Sequence, residues 1–535
     1  MPLLPVAPDV FHVYDTTLRD GAQQEGLRLT VHDKLRIARS LDELGVTFIE
    51  GGWPGANPND TAFFKAAADG ELSLRTSQLV AFGATRKAGG KASKDPLTRA
   101  LLDAETPVIT LVAKSHDEHV YRALRTTLEE NLAMITDTVT FLTKEGRRVF
   151  VDAEHFFDGY RANPAYALEV VKTAADAGAE VVVLCDTNGG MLPGWMGEVV
   201  SAAGQIGVDL GIHCHNDTGC AVANSIAAVD AGAMHVQGTI NGHGERTGNA
   251  DLITVLANLQ LKYGWEIVPP ESLAKVTSTS HAVAAITHVQ PNARQPYVGH
   301  SAFAHKAGLH ASAIKVDANL YQHTDPQLVG NDMRMLVSDM AGRANIQLKG
   351  GELGYDLSDA DEAARITNLI KEREAQGYSY EAADASFELL VRESLGLAEQ
   401  FFEVLHWRVW TGDEQGLDGD SEAIVKIKID GEVVKLVGEG FGPLNALDQA
   451  LTGALKAKYP AAATFDLVDY RVRILDQGHG TDAIVRVLID MTDGVRTWTC
   501  VGVGTNVIEA SWEALYDCYH WGLSDAGSRV ASLAG

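Results

Sequence analysis

Eight short apolar runs, each followed by a longer stretch of different periodicity, occupy residues 11–240 of the chain. The runs are FHVYD (11–15), VTFIE (46–50), QLVAFG (78–83), PVITLVA (107–113), RVFVDAE (148–154), VVVLCD (181–186), LGIHCH (210–215) and MHVQGTI (234–240). The intervening stretches carry apolar residues at helical spacing, as in KLRIARSLDELG (34–45) and ALEVVKTAADAG (167–178). Eight strand–helix units in about 250 residues predict an α/β fold, the (β/α)8 TIM barrel.

Polar, glycine-rich segments follow five of the predicted strands. DTTLRDG, GGWPGANPND, DTNGG, HND and NGHGERTGN come after the first, second, sixth, seventh and eighth strands. The C-terminal ends of the strands carry the chemistry in a TIM barrel, so these segments predict an active site at one mouth. The rival architecture is a doubly wound open sheet. Its dinucleotide-binding form would place GxGxxG after the first strand, and that motif is absent there.

Two histidines close together at the end of the seventh predicted strand suggest a metal site. His213 and His215 are two positions apart, so both side chains point to one face of a strand. Burying two unpartnered imidazoles is costly, and a divalent cation would satisfy both lone pairs. The pair alone leaves a metal site and a structural role open.

Two further residues could complete such a site. Asp20 follows the first strand and Asn249 follows the eighth, and in a closed barrel only the eighth strand separates the first from the seventh. Two imidazoles, a carboxylate and an amide oxygen suit Mg, Mn, Zn or Co. The structural alternatives are an ion pair of Asp20 with Arg19 and a turn or helix cap at Asn249.

The charge and the cysteine content narrow the class of protein. The 535-residue chain has 44 Lys and Arg against 71 Asp and Glu, a formal net charge of -27. So acidic a chain repels nucleic acids and anionic membranes. Five cysteines without a CxxC pair suggest reduced thiols, and we see neither a signal peptide nor a membrane span. We expect a cytoplasmic protein that binds neither nucleic acid nor membrane.

The last part of the chain contains an internal repeat. AIVKIKID (423–430) matches AIVRVLID (483–490), and LVGEGFGPLNALDQAL (436–451) matches CVGVGTNVIEASWEAL (500–515). Each copy reads strand, turn, strand, helix, and two copies predict a pseudo-symmetric α+β unit. We therefore divide the chain into a barrel domain (1–265), a linker region with short helices (266–400) and a C-terminal α+β domain (401–535).

Each copy of the repeat places two glycines where strand gives way to helix. They are Gly438, Gly440, Gly502 and Gly504. Glycine suits a tight strand-to-helix turn. A helix N-terminus can also bind a carboxylate, which would make this region a small-molecule pocket. The sequence leaves both interpretations open.

The motifs DTTLRDGAQ, HCHND and NGHGERTGN together resemble the family of metal-dependent acyltransferase and lyase TIM barrels. This family contains 2-isopropylmalate synthase, homocitrate synthase, citramalate synthase and 3-hydroxy-3-methylglutaryl-CoA lyase, and the match runs through the whole chain. The C-terminal repeat resembles the leucine- or isoleucine-binding regulatory domain of the synthases. IEGGWPGANPND, FAHKAGLHASA and YQHTDPQLVGN are most similar to the members that join pyruvate to acetyl-CoA in isoleucine synthesis.

The resemblance implies a reaction and a set of roles. The reaction is condensation of acetyl-CoA with pyruvate, feedback-inhibited by isoleucine. The metal ligands would be Asp20, His213 and His215, with Asn249 as a fourth. The resemblance further implies that Arg19 stabilises the developing alkoxide.

Three more barrel residues acquire roles from the resemblance. Thr187 would hydrogen-bond the substrate carboxylate, although a helix cap is its structural alternative. Glu154 and Glu245 would lie close to the substrate. Either could act as a base, and an equally good alternative is that it orients a histidine ligand.

His310 and Tyr321 lie outside the predicted barrel. The resemblance implies that His310 reaches the active site of a partner subunit in a homodimer, takes part in proton transfer and has Tyr321 as its companion. Many relatives have Asp two residues after this histidine, whereas this chain has Ser312. That difference puts an acetyl-CoA contact at this position in doubt.

Trp53 and Phe82 are the candidates for setting the length of the substrate. Trp53 lies in a loop at the predicted mouth, where it and Phe82 could shorten the pocket to fit the methyl group of pyruvate. The rivals are 2-isopropylmalate synthase, which takes 2-oxoisovalerate, and homocitrate synthase. An acyl-CoA lyase lacks the regulatory repeat, and a non-catalytic amino-acid sensor would have a broken metal triad, which is intact here.

Overall fold

The computed structural model describes residues 7–338, 342–412, 421–475 and 483–524. The eight predicted strands form a closed parallel barrel in chain order, which confirms the predicted architecture. The strands are β1 His12–Asp15, β2 Phe48–Gly52, β3 Gln78–Ala84, β4 Val108–Lys114, β5 Arg148–Glu154, β6 Val181–Asp186, β7 Asp209–Cys214 and β8 His235–Gly238. The barrel closes where β1 pairs with both β2 and β8.

The inside of the barrel is packed with side chains along most of its length. Its inner core consists of Tyr14, Phe48, Val80, Val108, Phe150, Val181, Val183 and Cys185. Alternate residues of the same strands face outward and form a second core with the surrounding helices. The strands therefore read as nearly continuous apolar runs, because both of their faces are buried.

Twelve α-helices lie between residues 7 and 303, the described residues of the barrel part. They are α1 Val31–Leu44, α2 Pro58–Ala66, α3 Pro96–Asp103, α4 Asp117–His119, α5 Leu128–Lys144, α6 Phe156–Ala162, α7 Pro164–Asp176, α8 Pro193–Gly204, α9 Ala221–Asp230, α10 Leu252–Tyr263, α11 Pro270–Leu273 and α12 Val276–Thr287. Thr30 and Asp33 form a capping box at the start of α1, and Gly45 ends it in the left-handed conformation. No helix within the described ranges is long and apolar enough to cross a membrane.

The chain divides into two compact units. The first consists of Met1–Phe303 and Thr324–Asp332, and the second of Ala304–His323 and Met333–Gly535. Residues 266–303, the first part of the predicted linker region, lie in the barrel's unit. Their side chains Leu273, Val276 and Val283 are buried in the outer core of the barrel.

The second unit contains the C-terminal repeat. It begins with the short strands β9 Ala304–His305 and β10 Arg334–Met335 and the helices α13 Gly308–Ile314, α14 Arg343–Glu352, α15 Ala360–Ala375 and α16 Asp384–Ser394. The repeat follows as β11 Glu403–Thr411, β12 Ser421–Ile429, β13 Glu432–Gly440, α17 Pro443–Leu455, β14 Asp466–Ile474, β15 Val485–Thr492, β16 Thr497–Gly504 and α18 Val507–Leu523. Each copy is a three-stranded antiparallel sheet and a helix. The sequence predicted the last two strands and the helix of each copy but not the first strands, β11 and β14.

The repeat glycines lie within β13 and β16, against the helices. A Cβ atom on Gly438 would lie 2.4 Å from the carbonyl oxygen of Ala446, and one on Gly502 would lie 2.0 Å from that of Ala510. These two glycines let each helix pack closely on its sheet. None of the four repeat glycines has a positive φ. Glycine is therefore favoured there because it lacks a side chain, not because it can adopt a left-handed backbone conformation.

Candidate active site at the barrel mouth

Asp20, His213 and His215 converge at the carboxyl ends of the strands. The Oδ2 atom of Asp20 lies 3.2 Å from Nε2 of His213 and 3.7 Å from Nε2 of His215. All three side chains are buried, and their ligand atoms lie within 4.8 Å of one another. Among the described residues, this is the one group of three or more His, Cys, Asp or Glu side chains that meets the geometry for a metal ion.

The electrostatics of Asp20 and His215 suit a cation, whereas burial acts to lower the pKa of His213 but the contact with Asp20 outweighs it and raises that pKa. Burial acts to raise the pKa of Asp20, but Arg19 and His213 outweigh it and hold that pKa well below its usual range. Burial lowers the pKa of His215 to about 4, so this ring is neutral near pH 7. A carboxylate and a neutral imidazole are the forms that bind metals.

Asn249 offers a fourth oxygen beside this group. It forms an isolated bridge with His215, and its Nδ2 donates to the carbonyl oxygen of His243 at 3.0 Å. Its Oδ1 is buried and has no hydrogen-bond partner among the described residues. An orphaned acceptor on a residue that pairs with the ligand candidate His215 is available to a divalent cation.

Arg19 lies at the wall of the site between two acids. Its Nε donates to Oε2 of Glu50 at 2.6 Å, and its Nη1 lies 3.4 Å from Asp20. Its guanidinium also lies over the ring of Phe82, 3.9 Å from the ring centre. Burial acts to lower the pKa of Arg19, but Glu50 and Asp20 raise it above its ordinary value. The guanidinium is therefore a fixed positive charge.

A cavity of about 250 Å³ opens onto these side chains. It is lined by Arg19, Asp20, Gln23, Trp53, Phe82, Val112, Asp152, Glu154, Cys185, Thr187, His213, His215, Glu245 and Arg246. The structure thus brings nine of the sequence-predicted site residues to one cavity. Asn249 lies next to it through its bridge to His215.

Glu154 and Thr187 are held by neighbouring strand ends. Glu154 forms an ion pair with Lys114, its register partner at the end of β4. The Thr187 hydroxyl oxygen accepts a hydrogen bond from the backbone N–H of His155 at 2.8 Å, and the backbone carbonyl of Thr187 accepts one from Arg246 at 2.8 Å. The hydroxyl proton of Thr187 is left to donate to another group.

The loop after β8 is tied to the loop after β7. Arg246 donates to both oxygens of Asp217, at 2.8 and 3.0 Å. Glu245 lines the cavity with a half-exposed side chain, 3.9 Å from Arg246. Asn216 accepts a hydrogen bond from the backbone N–H of Ala221 and so fixes the start of α9. The polar residues after His215 therefore hold the mouth loops in place.

His310 and Tyr321 lie in the second unit, whereas the cavity belongs to the first. Their rings are 4.1 Å apart, centre to centre. Leu309, Val316 and Leu320 in the same segment have 74 %, 82 % and 59 % of their surface exposed. The segment that carries the histidine therefore exposes several apolar side chains.

Three buried polar residues of the site escaped the sequence analysis. Glu50 ends the apolar part of β2, and Asp152 and Gln237 lie within β5 and β8. All three side chains are buried. The available signal was a polar residue inside an otherwise apolar strand, which is costly to bury unless it has partners.

Three segments of the chain match known families. Residues 10–283 match the family described as HMGL-like, residues 297–377 the homocitrate synthase post-HMGL domain-like family, and residues 381–522 the LeuA allosteric (dimerisation) domain. The first match covers more than half of the chain. The fold and the site therefore define an HMGL-like barrel followed by a LeuA-type domain.

Relatives of similar length identify the family to which the chain belongs within this class of barrel proteins. An (R)-citramalate synthase from Streptomyces coelicolor is 61 % identical over 526 residues, 98 % of either chain. Another from Synechocystis sp. is 49 % identical and covers 96 % of each chain. A 2-isopropylmalate synthase from Methanocaldococcus jannaschii is 31 % identical, covering 95 % of this chain and 94 % of that one. The chain belongs to the family of (R)-citramalate synthases.

Proposed function

We propose that this protein condenses acetyl-CoA with pyruvate and water to give (R)-citramalate and CoA, a step of isoleucine biosynthesis. The observation that carries the proposal is the cavity in which Asp20, His213 and His215 meet beside the fixed charge of Arg19. The identity of 61 % over almost the whole chain with an (R)-citramalate synthase supports the same reaction.

A divalent cation held by Asp20, His213 and His215, with Asn249 as a further ligand, belongs to this proposal. The orphaned Oδ1 of Asn249 and the mixed nitrogen and oxygen donor set support it. Mg, Mn, Zn and Co all accept such donors. When bound, the cation would polarise the keto group of the 2-oxo acid.

The residues of the cavity wall would bind and orient the substrate. Arg19 places its guanidinium where the keto oxygen gains negative charge during the condensation, and a pre-positioned charge stabilises that transition state. Thr187 has a hydroxyl proton to donate to the substrate carboxylate. Neither residue has to move, because Glu50 and the backbone of His155 already hold them.

Glu154 is our choice for the base that removes a proton from the acetyl methyl group. Its carboxylate lines the cavity, and its ion pair with Lys114 keeps it in place. Glu245 lines the cavity from the more exposed side, and His310 of a partner subunit is the third candidate. Comparing Glu154→Gln, Glu245→Gln and His310→Ala in a deuterium-exchange assay of the acetyl methyl group decides among them.

Isoleucine is the proposed effector, and the repeat offers a pocket for it. A cavity of about 500 Å³ lies between the N-termini of α17 and α18, beside β14. Helix N-termini favour a carboxylate, and Asp448 in the wall can accept an ammonium group. The remaining wall is largely apolar, with Leu444, Leu467, Val507 and Ile508. The match to an allosteric domain supports this role.

A homodimer and a cytoplasmic location complete the proposal. The match to a LeuA allosteric (dimerisation) domain supports dimerisation. In the dimer, the segment with His310 and Tyr321 would reach the active site of the partner subunit. All five cysteines are free thiols, as expected in a reducing compartment.

Release of the CoA thiol is the experiment that tests the reaction. The purified protein is assayed with acetyl-CoA and pyruvate, 2-oxoisovalerate or 2-oxoglutarate in turn, with Asp20→Asn as the inactive control. We expect the highest kcat/KM with pyruvate. A preference for 2-oxoisovalerate would make the protein a 2-isopropylmalate synthase, and no thiol release with any 2-oxo acid would overturn the enzymatic proposal.

A further inference from the structure

Three buried side chains form a hydrogen-bonded chain across the interior of the barrel. Nδ1 of His213 lies 2.7 Å from Oε1 of Gln237. Nε2 of Gln237 in turn donates to Oδ1 of Asp152 at 3.0 Å. The exposed fractions are 4 % for His213, 0 % for Gln237 and 4 % for Asp152. The hydrogen bonds therefore run from β5 through β8 to a proposed metal ligand on β7, and all three side chains are buried.

The direction of these two hydrogen bonds fixes which nitrogen of His213 carries the proton. A neutral imidazole has one N–H and one lone pair. The Gln237 amide donates to Asp152, so its oxygen is the atom that faces His213. That oxygen can only accept, which requires the proton of His213 to be on Nδ1. When Nε2 binds a cation, its lone pair is therefore free for coordination while the proton stays on Nδ1; without the cation, Nε2 can instead donate to Asp20, which lies 3.2 Å away.

We propose that Gln237 is a positioning residue for metal binding: it holds His213 in the tautomer and ring orientation that present Nε2 to the cation, and Asp152 fixes the direction of the Gln237 amide. A reversed amide would donate to Nδ1 and place the proton on Nε2, where it blocks coordination. The inference rests on the metal site of the proposed function, but it does not depend on which 2-oxo acid is the substrate.

The chemistry of the three positions suits this role. Glutamine is at once a donor and an acceptor, so it can satisfy a carboxylate and an imidazole together. A leucine of similar size would fill the space but leave both neighbours without a partner. Partners that orient a metal-binding histidine commonly change metal affinity by about 10- to 100-fold when they are removed.

Metal affinity measured on the metal-free, full-length protein tests the proposal. Mn²⁺ alone is titrated, and its free concentration is read by electron paramagnetic resonance. The variants are Gln237→Leu, Asp152→Asn and the double variant. Asn224→Leu is the control, because Asn224 is a buried amide on α9 that donates to the backbone of Met191. Thermal unfolding of each metal-free variant reports folding separately.

We expect Gln237→Leu to bind Mn²⁺ about 10- to 100-fold more weakly and Asn224→Leu to bind it like the unchanged protein. Asp152→Asn on its own should weaken Mn²⁺ binding by about 3- to 10-fold. In the Gln237→Leu background the same substitution should weaken binding by less than about twofold, because Asp152 acts through Gln237. Such coupling is not expected of residues that merely fill the core.

Three results would overturn the proposal. They are unchanged affinity in Gln237→Leu, an equal effect of Asp152→Asn in both backgrounds, and an equal loss in Asn224→Leu. Should Gln237→Leu not fold, Asp152→Asn alone decides, since it keeps the shape of the side chain and must still lower the affinity. The titration contains no substrate, so its failure is distinct from a failure of the thiol-release assay.

Discussion

At the scale of single residues, Arg19 makes contacts that another cation could not reproduce. Its planar guanidinium donates to Glu50, lies near Asp20 and stacks on Phe82. A lysine has one compact charge and cannot serve all three neighbours. We expect Arg19→Lys to lower kcat about 10²- to 10³-fold, as does the loss of other groups that stabilise developing negative charge.

The matched control for this substitution is Arg86→Lys. Arg86 is also buried between two acids, Glu130 and Asp137, but does not line the cavity. Steady-state kinetics with pyruvate should show near-normal kcat for Arg86→Lys. Equal losses in both variants would mean that Arg19 matters only for folding.

At the scale of single residues, Trp53 is also a side chain that can set the length of the substrate pocket by itself. Its ring meets that of Phe82 edge-to-face at 5.5 Å, and its backbone N–H donates to Asp60 at 2.8 Å. We expect Trp53→Ala to raise kcat/KM for 2-oxoisovalerate relative to pyruvate about 10-fold or more, since each extra methylene is worth about 1–3 kcal/mol. Trp195→Ala is the control, because Trp195 is exposed and does not line the cavity. An unchanged preference among 2-oxo acids contradicts the role of Trp53.

The sequence could predict the site residues whose positions along the chain themselves indicate a metal site. His213 and His215 stand two apart on one strand, and Asp20 lies in a polar strand end, so all three could be placed at the mouth. Glu50 and Gln237 could not be found in this way, because each is a single polar residue inside an apolar run. Their partners lie 31 and 24 positions away along the chain, and only the folded barrel brings them together.

At the scale of elements, burial explains which strands could be predicted. The barrel strands are covered on both faces, so they form apolar runs that stand out from the helices. The first strand of each repeat copy is different: eight of the nine residues of β14 are exposed. Both β11 and β14 lie at the edge of a sheet and carry charged side chains, which are common on edge strands. Their sequences therefore lack the continuous apolar run that marks the barrel strands.

The pocket at the start of α17 leads to a prediction about pH. Burial raises the pKa of Asp448 to about 6 from its ordinary 3.8. The folded protein binds this proton more tightly than the unfolded chain, so ionising the carboxyl lowers stability as the pH rises from about 4 to 7. We expect Asp448→Asn to raise the melting temperature by a few degrees at pH 8 and to change it little at pH 4.

The same variant tests the effector site. Ionised Asp448 would pair with the ammonium group of isoleucine, so Asp448→Asn should weaken inhibition by isoleucine at pH 8 by about 10-fold or more. Glu432→Gln, which removes an exposed acid at the start of β13, is the control for charge. Inhibition curves with pyruvate and acetyl-CoA give the measurement. Unaltered inhibition in Asp448→Asn would exclude this pocket as the isoleucine site.

At the scale of the whole molecule, the proposal assigns roles to residues of both compact units. The metal ligands and the cavity belong to the unit with the barrel, whereas His310 and Tyr321 belong to the other. Length and periodicity predicted the barrel strands of the first unit and, in the second, the last two strands and the helix of each repeat copy. They could not show which subunit completes a site, because a sequence is the same in every copy of a symmetric oligomer.

Mixing two inactive variants tests whether a partner subunit supplies His310. Asp20→Asn removes a proposed metal ligand of the barrel, and His310→Ala removes the residue proposed to come from the partner. If sites form across the dimer, random mixing restores about a quarter of the normal activity, because half of the dimers are mixed and each contains one intact site. If each chain completes its own site, every site in the mixture lacks one residue and activity stays at the level of the single variants. Thiol release from co-expressed, differently tagged chains measures this directly, and a mixture of Asp20→Asn with His213→Ala, both in the barrel, is the control that should stay inactive.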